Sequence, residues 1–386
     1  MHILIIPSEQ FIVKNSPNSG IFQLHQAKVL IGDGHKIGVI SSDVLLPSQL
    51  FKKIDYKKNE VIEGINILRH FRKTFIPNRL RKNSEQHYQK QQLKLGVSLY
   101  LDYVNKYGRP DVIHAHNFIF AGLIAEAINN KFEVPYVITE HSSNFAMGKI
   151  DKIYNSKLKK CAKNSSVMTA VSTSFVNLLN IKFNITNIKV LPNLVDDLFF
   201  ENIKNENNNQ GFIFLNIASF DNNKNQTLLI KSFANKFKNR NFHLKLGGVG
   251  GTEEKLKKMV HKLGINKQVT FLGQLPQRKV KQEMTNADCF VLTSHYETFG
   301  VVLIESLACG TPVISTKCGG PEDIVNEHCG LLIDVNNQDQ LELAMELLSN
   351  DKKKYDKEKL ISYARENYGS QAFIKNIMVH YKNAIS

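Results

Sequence analysis

Glu297 and Glu305 stand eight residues apart in the segment TSHYETFGVVLIESLACGTPVISTKCGG, residues 293–320. The segment reads as a loop entering a helix. Between the two carboxylates, Thr298, Phe299, Gly300, Val301 and Val302 offer a glycine and a run of backbone N–H groups at the expected helix start. Orphan donors and the positive end of the helix dipole favour an anion there, and a phosphate suits the position. At about 1.5 Å per helical residue the separation spans roughly 12 Å. One carboxylate can then meet a group on one side of a diphosphate while the other meets hydroxyls beyond it. Helical spacing from Val301 puts Glu305 one turn inside the helix, where an unpaired carboxylate is costly and calls for hydroxyl partners.

Lys224 lies in the turn-rich stretch Phe220-Asp221-Asn222-Asn223-Lys224-Asn225-Gln226, after a strand expected to end near Ala218. A cation at a strand's carboxyl end suits a diphosphate. Gly247-Gly248-Val249-Gly250-Gly251 invites a dinucleotide reading, but Glu253 stands where the G-x-G-x-x-G register needs its third glycine. A tight turn is the better reading, and Gly319-Gly320-Pro321 is a further turn signal. His114 and His116 are two apart on an expected strand and so share a face. No third ligand of suitable spacing accompanies them, so no metal is expected.

These elements need a scaffold. Apolar runs alternate with helical stretches, the pattern of parallel sheets with crossover helices. Strands are predicted at 3–6, 37–41, 112–115, 136–139, 168–171 and 188–191, then at 212–217, 243–247, 269–272, 289–292, 312–315 and 330–333. Helices are predicted near 22–31, 85–107, 121–130 and 174–179, from Thr252 onward, and at 370–385. The 386-residue length suggests two domains. The boundaries read as a domain over 1–193, an Asn-rich linker over 194–211, a second domain over 212–368, and a tail over 369–386.

The segment around the two glutamates resembles the Glu-x7-Glu signature of retaining glycosyltransferases of family four. Similar patterns follow in order along nearly the whole chain: Asn18-Ser19-Gly20-Ile21-Phe22, Asp111-Val112-Ile113-His114-Ala115-His116, Thr139-Glu140-His141, Ala170-Val171-Ser172, Leu191-Pro192-Asn193 and Lys224-Asn225. The resemblance implies an α/β GT-B fold, with two Rossmann-like doubly wound domains facing a central cleft and a tail that crosses back to the first. It implies transfer of a sugar, with retention, from a nucleotide-sugar to a hydroxyl of a glycan or lipid-linked acceptor in surface polysaccharide or glycolipid synthesis.

On that reading Glu297 faces the transferred sugar, Glu305 accepts hydrogen bonds from the ribose, and Lys224 neutralises the leaving diphosphate. The N–H groups of 298–302 help hold the donor. His116 meets the sugar and acceptor near the reacting carbon, while Gly20 and His141 sit on the acceptor side and His114 belongs to the core. Catalysis falls to His116, Lys224 and Glu297, by a front-side displacement. No cofactor or metal is implied; the nucleotide-sugar, a UDP-sugar by preference, is a co-substrate. Many relatives carry an arginine five residues before the lysine, and here Ser219 stands instead. A small soluble acceptor is the alternative; an NAD-dependent oxidoreductase and a non-catalytic nucleotide-sugar binder are the remaining classes.

The charge balance bears on partners. Lys and Arg exceed Asp and Glu by 50 to 35, and residues 51–100 hold twelve of the former against four of the latter. Within this stretch, residues 69–82 interleave Arg69, Arg72, Lys73, Arg79, Arg81 and Lys82 with Phe71, Phe75, Ile76 and Leu80. An anionic membrane surface, a solvated loop and helix face, and nucleic acid all fit such a pattern. The first is carried forward, with no nucleic acid expected. Apolar runs are too short to span a bilayer and the start has no basic leader, so the chain reads as cytoplasmic, peripheral on the inner face of the membrane. Five cysteines without a C-x-x-C pair read as free thiols.

Overall fold

Short, doubly buried apolar runs build the first sheet. The computed structural model describes residues 1–7, 11, 20–45, 57–73, 81–145, 147, 155–202, 211–351 and 354–386, without the side chains of 43–45, 57, 72–73, 81–87 and 155. Strands β1 (His2–Ile6), β2 (Lys36–Leu45), β3 (Lys57–Ile62), β4 (Ile65–Lys73), β5 (Val112–His116), β6 (Tyr136–Glu140), β7 (Val167–Ala170) and β8 (Lys189–Val190) form it in the order β3-β4-β2-β1-β5-β6-β7-β8. All pairs are parallel except β3 with β4. Every residue of β5 and β6 is buried, as a central parallel strand covered on both faces requires.

The β3–β4 hairpin is absent from the sequence expectation, which took this stretch as a basic surface. Its turn, Glu63-Gly64, has φ of 50° and 79°, the left-handed pair that a two-residue hairpin turn needs and that glycine supplies cheaply. Val61, Ile62, Ile65 and Ile67 flank it, and that pattern was the available signal. The pairing corrects the membrane reading for part of 69–82: Arg69 and Phe71 are only 4% and 6% exposed. Arg69 Nε lies 2.5 Å from Glu60 Oε1, and its guanidinium also donates to the Phe11 carbonyl. A buried guanidinium needs such partners, so Arg69 is a core ion pair and cannot be an anchor. The side chains from Arg72 to Lys82, like Asn18 and Ser19 and most of the Asn-rich stretch 203–210, lie outside the described residues.

The second sheet consists of β9 (Phe212–Ile217), β10 (Phe242–Gly247), β11 (Val269–Gly273), β12 (Cys289–Leu292), β13 (Val313–Thr316) and β14 (Gly330–Ile333), in the order β11-β10-β9-β12-β13-β14. All its pairs are parallel. The order is that of a dinucleotide-type Rossmann sheet, whose ligand crevice lies where connections diverge, here between β9 and β12. The fold is GT-B: two Rossmann-like α/β sheets.

The chain packs as two units. One comprises Met1–Val171, Val176–Leu191 and Ile374–Ser386; the other comprises Ser172–Phe175 and Pro192–Phe373. The terminal helix Ser370–Ile385 places Tyr381 in the core of the first unit, its hydroxyl 2.8 Å from His114 Nδ1. A helix over Asn155–Asn164 was not foreseen. The helix expected at 121–130 runs over Leu123–Phe132, after a π-type turn at Phe118–Gly122. No helix of the described residues is long and apolar enough to cross a membrane.

Candidate functional site

In the second unit the loops that follow β9, β12 and β13 meet. Lys224 follows β9 in a turn organised by Asp221, whose carboxylate accepts from Ser219 Oγ at 2.6 Å and from the N–H groups of Asn223 and Lys224 at 2.8 and 3.2 Å. Asn225, with φ 48°, ends the turn and opens the helix Gln226–Phe237. Asn223 binds the loop after β12 in both directions: its Nδ2 donates to Tyr296 O and its carbonyl accepts from His295 N–H. Thr293 Oγ1 donates to the Lys224 carbonyl at 3.0 Å. These bonds fix the backbone on which Lys224 Nζ reaches Glu297 Oε1 at 2.5 Å. Ser294 Oγ donates to the same oxygen at 2.6 Å.

Glu297 is also held along its backbone. Its N–H donates to Cys318 O at 3.0 Å and its carbonyl accepts from Gly320 N–H at 2.9 Å, so the Gly319-Gly320 loop rides against it. Gly300, with φ 104°, precedes the helix Val301–Ala308, whose first turn has no side-chain cap. Leu303 N–H is taken by the Gly300 carbonyl at 2.9 Å, which leaves those of Val301 and Val302 as the donors expected of an anion site. Phe299 contributes only backbone, since its ring is 2% exposed and packs against Tyr368. Glu305, inside the helix and half-buried, meets no hydrogen-bond donor among the described residues. Burial, with Asp196 adding a like charge, pushes its pKa up to about 8. A carboxyl in that condition gains most from ligand donors.

The glycine-rich turn packs against this cluster's base. A Cβ on Gly248 would lie 1.9 Å from the Ala218 carbonyl oxygen and one on Gly250 would lie 2.3 Å from that of Phe220. The glycines therefore permit close backbone approach to the loop after β9, which accounts for them without a dinucleotide.

In the first unit the expected residues also sit at strand ends. His114 is a core histidine: Nε2 is 2.7 Å from Thr139 Oγ1, Nδ1 is taken by Tyr381, and burial pushes its pKa down to about 3. His116, which ends β5, is wholly buried with Nδ1 3.1 Å from Nε2 of His141. Burial, then the neighbouring imidazoles, hold it well below the usual histidine range. Its Nε2 is buried with no hydrogen-bond partner among the described residues. The rings of His116 and His141 stack at 5.3 Å, and Phe22 contacts both. Gly20, with φ 74°, opens the helix that carries Phe22.

Two residues of this neighbourhood escaped the sequence reading. Glu140 is completely buried at the end of β6, and its carboxylate accepts from the N–H groups of Phe118, Ser142 and His141 at 2.8, 2.8 and 3.1 Å. Burial pushes its pKa up to about 7 against the opposing pull of those donors. Asn117, with φ 71°, accepts from His141 N–H through Oδ1 at 2.8 Å. The asparagine after His116 was a turn signal; Glu140 stood within the quoted Thr139-Glu140-His141 pattern without a role, and the apolar run before it marked its burial. Ser294 and Asn223 were likewise missed, although both lie in the motifs already singled out. The five cysteines are all buried and unbridged.

With this geometry in hand, the known proteins give it a context. Residues 24–197 match the family model Glycosyltransferase Family 4, and residues 199–367 match Glycosyl transferases group 1. An uncharacterized glycosyltransferase of Methanocaldococcus jannaschii is 27% identical over 243 residues, 62% of this chain and 66% of that one. The N-acetyl-alpha-D-glucosaminyl L-malate synthase of Bacillus anthracis is 29% identical over 241 residues, 59% of this chain and 62% of that one. The aligned regions thus span less than two thirds of those relatives. Among solved structures, HepE of Anabaena in complex with UDP superposes with a TM-score of 0.73 at 16% identity, covering 99% of this chain and all of that one. Both halves match glycosyltransferase families and both sheets are of the Rossmann type, so the chain belongs to the GT-B glycosyltransferases.

Proposed function

We propose that the chain transfers a sugar, with retention of anomeric configuration, from a nucleotide-sugar to an acceptor hydroxyl. The observation that carries this reading is the convergence, at the carboxyl ends of β9 and β12, of a paired cation and carboxylate with an uncapped helix start and a donor-less carboxyl. Lys224 would neutralise the departing diphosphate, the N–H groups of 298–302 would hold its oxygens, and Glu305 would accept the ribose hydroxyls. Glu297 would face the sugar. Chemistry then needs only positioning and charge: the bond from the anomeric carbon to phosphate oxygen breaks, the acceptor oxygen bonds the same face, and its proton passes to the departing phosphate. A UDP-sugar is the preferred donor, and the UDP held by the Anabaena protein supports that choice.

The preferred acceptor is a glycan or lipid-linked glycan on the cytoplasmic face of a membrane, met through the basic stretch that continues beyond Phe71. A second reading, a small soluble acceptor, is favoured by the Bacillus anthracis relative, whose name specifies L-malate. A thermal-shift panel of UDP-, GDP- and ADP-sugars with NAD identifies the donor. Proton NMR of the first-formed product, with L-malate and with lipid-linked glycan as acceptors, then reads the anomeric configuration. Stabilisation by NAD alone, or an inverted product, would sink the reading.

A further inference from the structure

Two loops carry the histidine pair of the first unit, and they have little regular structure of their own. The turn after β5, Phe118–Gly122, departs from helical dihedrals at Ile119 and Phe120. The described residues after β6, 141–145 and 147, include turns and no helix or strand. Such segments hold a side chain in place only if their polar backbone groups are tied down. Here one carboxylate takes three of those groups and spans both loops. Glu140 accepts the second N–H of the β5 loop, from Phe118, while the first, from Asn117, goes to the Thr139 carbonyl at 2.8 Å; it also accepts the first two of the β6 loop, from His141 and Ser142. It is 0% exposed, and among the described residues its hydrogen bonds come from backbone N–H groups and none from a cationic side chain. Burying a carboxyl in this way is costly, and β6 could end on a glutamine or a hydrophobic residue without that cost.

We infer that Glu140 is a positioning residue whose carboxylate clamps the loops after β5 and β6 together, and so sets the ring of His141 against His116. The chain of contacts is continuous. His116 ends β5, two residues before the Phe118 N–H that Glu140 accepts. His141 follows Glu140 directly, with its own N–H shared between Glu140 Oε1 and Asn117 Oδ1 at 3.1 and 2.8 Å. The imidazoles then meet at 3.1 Å. That contact needs one of the two facing nitrogens to carry a proton and the other to be bare, so a fixed distance couples the tautomers of the two rings. Asn117, at its left-handed φ, serves the same end from the other loop. The functional meaning of the clamp rests on the proposed acceptor role of this unit; the clamp itself does not.

The test uses the full chain with ring-labelled histidine. In the wild type, two-bond nitrogen–proton spectra should show His116 and His141 in single, complementary tautomers, and the amides of Phe118, His141 and Ser142 should exchange slowly. In Glu140→Gln one acceptor oxygen becomes an NH2 group facing N–H donors. Exchange at those amides should rise about tenfold or more, as loss of charge-assisted bonds implies, and the two imidazoles should average between tautomers. Glu140→Asp should restore part of both signals. If Glu140→Gln does not fold, Asn117→Ala removes one acceptor of the same N–H and should shift the His141 signals alone. Unchanged imidazole signals in a folded Glu140→Gln would overturn the inference, as would faster exchange spread evenly over the unit. UDP-induced thermal stabilisation of the wild type reads the other unit, so its absence would sink the nucleotide-sugar reading and leave the clamp standing.

Discussion

Lys224 Nζ lies 2.5 Å from Glu297 Oε1, a contact between residues 73 apart that joins the loops after β9 and β12. On the proposed reading, the cation that would meet a diphosphate is thus paired with the carboxylate that would face the sugar. Lys224 is 20% exposed and Glu297 14%, so the pair is sheltered but open on one side, as a group awaiting exchange of partners must be. Ser219 hydrogen-bonds Asp221 and brings no charge, which leaves Lys224 the cation identified in this cluster.

Lys224→Ala should therefore depress turnover by roughly 100-fold or more, the scale of removing one preorganised charge stabiliser, with Lys224→Arg recovering part. Glu297→Gln should release the lysine: UDP should bind more tightly than to wild type while turnover falls. Calorimetric UDP affinities beside initial rates check both. Equal loss of affinity and rate in Glu297→Gln would mean that the carboxylate only props up the loop.

Glu305 gives a pH dependence with a definite sign. Its pKa of about 8 in the ligand-free chain lies above the usual carboxyl value, so ionising it costs native stability as pH rises through that value. Ribose hydroxyls would donate to the ionised form and lower that pKa, so binding expels a proton. UDP affinity should accordingly rise between about pH 6 and 8 and level off above. In Glu305→Gln affinity should be weaker and flat with pH. Titrations across that range in buffers of different ionisation enthalpy read the proton directly; a wild-type affinity that falls with rising pH contradicts the assignment.

Much of this was legible beforehand. Strands β9 and β12 and the terminal helix Ser370–Ile385 have the bounds that apolar runs and periodicity indicated, since the side chains that define those runs are the ones buried. The β3–β4 hairpin was obscured because its lysines and arginines dominate the composition, while the alternation that buries Ile65, Ile67 and Phe71 is short. At the site, residue types disclosed Glu297, Glu305 and Lys224. What they could not disclose is pairing in space: that Lys224 would hold Glu297, that His116 would lie beneath His141 and Phe22, or that Glu140 would collect the N–H groups of two loops.

Gly320 tests the framework of the donor loops. A Cβ there would fall 2.1 Å from Phe299 Cα and 2.4 Å from its nitrogen, both backbone atoms. Nothing flexible can yield. Gly320→Ala should push the 297–300 segment away, cost about 1–3 kcal/mol of stability as overpacking does, and weaken UDP binding. Gly251→Ala, in the glycine-rich turn with open space at its Cβ, is the control and should leave both unchanged. Urea melts and UDP titrations of the two variants make the comparison.

Arg69 is a buried cation of the basic stretch, and its variant should behave differently from those of the cations proposed to meet a membrane. Arg69 is buried between Glu60 and the Phe11 carbonyl, and Glu60 keeps Lys58 at 2.7 Å, so Arg69→Gln should cost about 1–3 kcal/mol, the scale of leaving a buried acceptor unpaired, seen as a lower Tm. On the membrane proposal, replacing Arg72, Lys73, Arg79, Arg81 and Lys82 together with Gln should leave Tm nearly unchanged, since charges held for a membrane surface add little to the fold. If those side chains rest on an anionic leaflet, each contributes about 1 kcal/mol of attraction near the surface, and several together give measurable vesicle binding that salt screens. Sedimentation with phosphatidylserine vesicles at low and high salt should then show wild-type binding that falls with salt and is lost in the five-fold variant. A wild type that ignores such vesicles at low ionic strength removes the membrane from the proposal, and the soluble-acceptor reading takes its place.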